Sequence, residues 1–169
     1  MTTKKSVLFA VFIALGIVLQ ILESFLPTTF LVPGFKIGFA NIITLTVLMM
    51  YGQRAMWIVN SLRIVLAALL TGTLFSISFW VSLAGFICAG LMMCLAKKTG
   101  LFSIYGISVA GAAAHSVGQV GAITWIYQQY FMQLYAPLLV GLSIFSGMLV
   151  ALLSSNVMKR IEGRFVLNG

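Results

Sequence analysis

Aspartate is missing from this sequence altogether, and glutamate occurs only twice, as Glu23 and Glu162. So sparse a set of acids supplies no paired-carboxylate site for general acid–base chemistry. There is no phosphate-cradling glycine loop and no Cys–His couple for nucleophilic catalysis. The two cysteines, Cys88 and Cys94, lie six residues apart in one apolar run. Six residues are about 600° of helical rotation, so the thiols leave different faces and make neither a metal pair nor a disulfide. Both read as small buried or lipid-facing hydrophobes. His115 is the single histidine, and a lone imidazole is no metal site. Haem pairs and iron–sulfur cysteine sets are absent as well. Charge is scarce throughout: 7% of residues are Asp, Glu, Lys or Arg, against roughly 25% in soluble domains. So few charges exclude an ordinary cytosolic domain, a disordered chain and a nucleic-acid module.

What is present is apolar. Of the 169 residues, 62% belong to the AVILMFWYC set, against roughly 45–50% for soluble domains. That composition describes a single polytopic membrane domain over residues 1–169, its solvent mostly lipid. Helical spans of about 20 apolar residues are expected over 6–26, 36–52, 55–70, 75–96, 102–127 and 135–157. Pro27 and the Val32-Pro33-Gly34 stretch break the chain after the first span. Met1 to Lys5 followed by an apolar run resembles a secretory signal, but no small-x-small cleavage pattern follows, so the run reads as a retained first span.

The formal net charge is +8, and its placement speaks for topology. Lys4, Lys5, Arg54, Lys97, Lys98, Lys159, Arg160 and Arg164 fall at one set of span ends, and Lys36 alone falls at the other. Cytoplasmic loops carry such an excess, so both termini are expected inside. Tyr127, Tyr130 and Tyr135 sit at the expected outer boundary, as interfacial aromatics do.

Polar residues at membrane depth need a partner, water or a function. Arg63 lies near the middle of the third span, with Asn60 one turn before it on the same face. The structural alternative pairs Arg63 with helix-end carbonyls or with Glu23. His115 and Gln119 are one turn apart in the fifth span, flanked by the small residues Gly111, Ala112, Ala113, Ala114, Ser116, Gly118 and Gly121, which let helices approach closely. For this pair the alternative is interhelical knitting. Gln20 and Glu23 lie toward the outer end of the first span, Lys36 and Asn41 toward that of the second. Together these residues describe one outward-opening cavity. Its formal balance, Lys36 and Arg63 against Glu23, favours an anionic ligand or one both polar and apolar. Ala10 and Ala14 form a smooth strip on the first span where another helix can pack.

The stretch Pro33-Gly34-Phe35-Lys36-Ile37-Gly38-Phe39-Ala40-Asn41-Ile42 resembles the hallmark of the Gx transporter family, also labelled heptaprenyl diphosphate synthase component I. Val109-Ala110-Gly111-Ala112-Ala113-Ala114-His115-Ser116-Val117-Gly118-Gln119 resembles its second block, and Ser61-Leu62-Arg63 a weaker third. That family is similar to the substrate-binding S components of energy-coupling factor (ECF) transporters. The resemblance implies an all-α, six-helix bundle with both termini inside, in a bacterial cytoplasmic membrane. It implies capture of a micronutrient from outside, with Pro27 to Phe35 as a capping loop. It also implies docking through Ala10 and Ala14 on a transmembrane coupling protein driven by two ATPases.

The synthase label conflicts with the residues if it means catalysis. Prenyl elongation uses Mg²⁺ bridged by aspartate-rich motifs, and Mg²⁺ requires oxygen ligands in near-octahedral array; this chain has no Asp. The expected role is therefore non-enzymatic. It is a binding subunit for an anionic or amphipathic small molecule, with Gln20, Glu23, Lys36, Asn41, Asn60, Arg63, His115 and Gln119 as ligand contacts and no cofactor or metal of its own. The alternative is a membrane component of a flavin- or quinone-linked electron-transfer complex or of an isoprenoid-diphosphate pathway, in which a flavin, quinone or isoprenoid is bound.

Overall fold

The computed structural model describes residues 3–25 and 38–166. Every regular element among them is helical. Six α-helices run in order: α1 (Thr3–Ser24), α2 (Phe39–Tyr51), α3 (Gln53–Leu70), α4 (Ile77–Thr99), α5 (Ile104–Tyr127) and α6 (Ala136–Val166), with a 3-10 segment over Tyr130–Tyr135. Four stretches are long and apolar enough to cross a membrane: Lys5–Glu23, Gln53–Leu70, Ile77–Thr99 and Gln133–Ile161. The chain is thus an all-helical, multi-pass membrane protein. Helix α5 has the length for a span, at 24 residues, but its glycines, His115 and Gln119 dilute its hydropathy.

Helix α2 is the centre of the bundle. It packs against α1, α3, α4 and α6. Residues 42 to 48 are buried without a break, and a mostly apolar helix whose few polar groups, Thr44 and Thr46, are small belongs inside. It has 13 residues, so at 1.5 Å per residue it is about 20 Å long. A hydrocarbon core is roughly 30 Å thick. The amino end of α2 therefore begins inside the bundle, and this creates the site described below.

Around α2, the other helices bury one stripe each. Helix α3 turns Met56, Val59, Asn60, Arg63, Ile64, Ala67 and Ala68 inward, a spacing of three and four residues. Helices α4 and α5 lie close along their length because small residues face each other: a Cβ on Gly118 would sit 2.8 Å from Cys88 Sγ, and one on Gly111 2.3 Å from Met93 Cε. At the α5–α6 contact, Ser108 Oγ donates to the Gly147 carbonyl at 2.7 Å.

Two contacts order the ends of the bundle. Lys97 Nζ of α4 donates to the Leu48 carbonyl of α2 at 2.6 Å. The rings of Phe9 and Phe12 of α1 meet Tyr51 edge-on, with centroids 5.4 and 6.1 Å away. The carboxyl ends of α2 and α4 and the amino-terminal half of α1 thus share one end, and Arg54 follows three residues after Tyr51 there. The amino end of α2 points the other way.

Helix boundaries shift from the sequence expectation for local reasons. The fourth and fifth spans begin at Ile77 and Ile104, because Ser76 and Ser103 cap them: their hydroxyls accept from Phe79 N–H at 3.3 Å and Gly106 N–H at 3.4 Å. Gln53 and Arg54 read as a polar turn, but they form the first turn of α3. Gly52 makes the corner alone, in a left-handed conformation (φ 84°) that suits glycine. Lys97 and Lys98 stay helical, since cations are favoured in a last turn. Helix α6 likewise runs through Lys159 and Arg160 to Val166 instead of ending near Val157. The first helix ends at Ser24, and the second starts at Phe39 rather than Lys36. The expected capping loop, Pro27 to Phe35, lies outside the described residues.

Candidate functional site

Four helices converge above the amino end of α2. From α1, the inward stripe Phe12, Gly16, Gln20 and Glu23 repeats at four, four and three residues. Its last two members line a small, partly enclosed cleft with a cavity volume of about 50 Å³. Helix α3 contributes Arg63 and Ile64, and α5 contributes His115 and Gln119. Gly38, Ala40 and Asn41 form the floor.

Arg63 is the central charge. It is 5% exposed, so its guanidinium must be held by acceptors. Arg63 Nη1 donates to Gln20 Oε1 of α1, and Nε donates to Asn60 Oδ1 at 3.2 Å. The Glu23 carboxylate lines the same cleft. Asn60 is fully buried and is itself fixed. Its Nδ2 donates to the Met56 carbonyl at 2.9 Å, and its Oδ1 accepts from Thr44 Oγ1 at 2.8 Å. A chain of polar groups thus runs from the core of α2 through Asn60 to Arg63 and out to Gln20.

Glu23 reaches a different partner. Its Oε1 accepts the backbone N–H of Gly38, the residue that precedes α2. Gly38 holds φ at 83°, where glycine is favoured. The amino end of a helix carries partial positive charge, so a carboxylate is stabilised there.

Two glycines make room for these side chains. A Cβ on Gly16 would lie 2.5 Å from Arg63 Cδ. One on Gly85 of α4 would lie 2.8 Å from both His115 Cε1 and Gln119 Cγ.

Of the eight expected ligand contacts, Gln20, Glu23, Asn41, Arg63, His115 and Gln119 meet at this cleft. Asn60 does not line it; it stands behind Arg63 as a support. Lys36 lies outside the described residues. Ser82 and Phe86 of α4 line the cleft and were not foreseen from sequence. The one sequence trace of them is their helical spacing with Gly85 and Ala89 on the inner face of α4. Far from the cleft, Ala10 and Ala14 are both exposed on the outer face of α1.

The family described as heptaprenyl diphosphate synthase component I matches residues 12–157. The chain belongs to that family. A search of curated proteins and a search of solved structures each found no match. The matched region contains the whole described cleft, from Gly16 and Gln20 to Gln119.

Proposed function

We propose that this member of the component I family is a binding subunit of a membrane uptake system. It takes a small anionic or amphipathic molecule into the cleft from outside and passes it inward with the help of energising partners. The observation that carries this reading is the cleft itself: six polar side chains from four helices gather around one buried arginine, at the bundle end opposite Lys97 and Arg54. In this reading residues 1–169 form one domain with six spans, both termini face the cytoplasm, and the membrane is the bacterial inner membrane. The placement of cations supports that orientation. Helix α2 is too short to span alone, and its amino end opens into the cleft as the broken helices of transporters do. Lys36, outside the described residues, is kept in this reading as a second cation for the ligand.

No nucleotide-binding motif is present in the sequence, so energy comes from elsewhere. The ECF S-component resemblance supplies the candidates, a coupling protein and two ATPases, with the exposed Ala10 and Ala14 as the docking strip. Capture of partners from native membranes in mild detergent tests this. Recovery of a coupling subunit with two ATPases, lost in Ala10→Trp or Ala14→Trp, is the expected result. Recovery of prenyl-synthesis enzymes or flavoproteins without any ATPase overturns it.

That second outcome is what the family description favours. Under it the chain is the membrane component of a prenyl diphosphate synthase complex or a related redox assembly. The cleft then holds an isoprenoid diphosphate, a flavin or a quinone without catalysing its formation.

A further inference from the structure

The only acidic side chain among the cleft-lining residues is the protein's own Glu23, and it occupies the place an anionic ligand needs. Its carboxylate sits on the Gly38 N–H at the amino end of α2 and within electrostatic range of Arg63. Glu23 is 8% exposed and Arg63 5%, and both line the one cleft, so the opposite charges share a site away from bulk water. Without Glu23, the described lining would hold one buried cation, a helix amino end and neutral groups.

We propose that Glu23 is a tethered stand-in for the ligand, and that a carboxylate or phosphate group binds by displacing it from Gly38 N–H and Arg63. The inference rests on reading the cleft as a ligand site, and it names the ligand's reactive end as an oxyanion. Arg63 suits the exchange. A guanidinium has five N–H donors in a fixed fork. Among the described residues two of them are used, by Gln20 and Asn60, so Arg63 stays oriented when the anion beside it changes. An incoming anion that failed to displace Glu23 would meet a like charge at close range in a site of low dielectric. Glu23 therefore sets a threshold. Water, chloride and weakly bound anions do not empty the site, whereas a ligand with an oxyanion and an apolar body against Ile64 and Phe86 does.

The cleft carries its own reporter. Phe86 lines it, and the Trp57 ring meets Phe86 edge-on with centroids 5.0 Å apart. In a Trp80→Phe/Trp125→Phe background, Trp57 is the remaining tryptophan and its fluorescence reads occupancy. Inorganic diphosphate and acetate are titrated separately, so that phosphate and carboxylate chemistry are distinguished. Glu23→Gln keeps the side-chain shape and an acceptor for Gly38 N–H but removes the competing charge. It is expected to bind at least one of the two anions about tenfold more tightly than the parent. Glu23→Ala should bind it at least as tightly as Glu23→Gln. The gain should vanish in Glu23→Gln/Arg63→Met. Equal or weaker binding in Glu23→Gln, no binding by either protein, or a gain that survives loss of Arg63 overturns the proposal. A negative partner capture would leave this comparison untouched, and a flat titration would leave the partner capture standing.

Discussion

Gly16 and Arg63 fit together across the α1–α3 contact: a single methyl on Gly16 would lie 2.5 Å from Arg63 Cδ and 3.3 Å from its Cγ. The stem of the arginine runs through the space where a side chain of α1 would otherwise be. The guanidinium then emerges beside Gln20, one turn further along the same face of α1. Helix α1 thus places both the gap and the acceptor.

Gly16→Ala should therefore act on the site and on stability together. Overpacking of a buried contact costs about 1–3 kcal/mol, and the arginine stem is the part able to move. Thermal unfolding in detergent should show the loss. In a double-mutant cycle with Arg63→Met, whose side chain lacks the branched head, the two changes should couple rather than add. Additive losses would mean that Arg63 does not depend on the gap at Gly16.

Gly85 plays the matching role on the opposite wall, and here the cleft should respond more than the fold. A methyl at 2.8 Å from both His115 Cε1 and Gln119 Cγ pushes those side chains toward the cleft. One atom belongs to a rigid imidazole ring and the other is a mid-chain methylene, so Gly85→Ala should cost about 1–3 kcal/mol in stability and weaken ligand retention still more. Pairing it with Gln119→Ala should restore the space but not the lost amide. Cross-linking or fluorescence at the cleft, measured with melting temperature, separates the two effects; retention unchanged in Gly85→Ala would show that His115 and Gln119 do not shape the site.

Asn60 was expected among the ligand contacts and is instead their support. It is fully buried and joins Thr44, Met56 and Arg63. Asn60→Leu leaves the Arg63 Nε without its acceptor and leaves the Thr44 hydroxyl with only the long 3.4 Å bond to the Ala40 carbonyl. A buried group left unsatisfied costs about 1–3 kcal/mol, more when it is charged. The expected outcome is a clear drop in melting temperature, with Asn60→Asp far milder because it keeps an acceptor beside the cation. If Asn60→Leu were as stable as the parent, the polar chain from α2 to Gln20 would not be what holds Arg63.

The sequence made the helices and most of the cleft readable because lipid narrows the options. Backbone groups in hydrocarbon must pair within the segment, so apolar runs meant helices, and a charge such as Arg63 at depth had to be held. Depth along each helix was legible, and depth is what grouped Gln20, Glu23, Asn41, Arg63, His115 and Gln119. Rotation about each helix was not. Asn60 and Arg63 share a face, yet one looks into the core and the other into the cleft, a distinction set by how α2 packs on α3. Ser82 and Phe86 were hidden for the opposite reason: a serine and a phenylalanine are unremarkable on an apolar helix, and only the neighbouring Gly85 marks that face as the one crossed by His115 and Gln119. The centrality of α2 was also unreadable from its length alone, although its mostly apolar run from Ile42 to Leu48, broken only by Thr44 and Thr46, pointed that way.

The two ends of α2 are each met by an opposite charge from another helix. Glu23 of α1 holds the Gly38 N–H at the amino end, and Lys97 of α4 donates to the Leu48 carbonyl at the carboxyl end, 2.6 Å away. Both pairings complement the helix dipole, with a contribution typically near 0.3–1 kcal/mol for an end charge. They differ in consequence. Lys97 lies at the bundle end away from the cleft and shares the Leu48 carbonyl with the Gly52 N–H, so Lys97→Met should lower stability by about 1 kcal/mol and leave Trp57-reported anion binding as it was. Lys97→Arg should recover most of that loss. Glu23→Gln leaves the buried Arg63 without a nearby opposite charge, so it should cost more stability than Lys97→Met and change anion binding by an order of magnitude. A Lys97→Met protein with altered anion affinity would mean that the two ends of α2 communicate, and that Glu23 is one half of a charge balance running the length of the helix rather than a local occupant of the cleft.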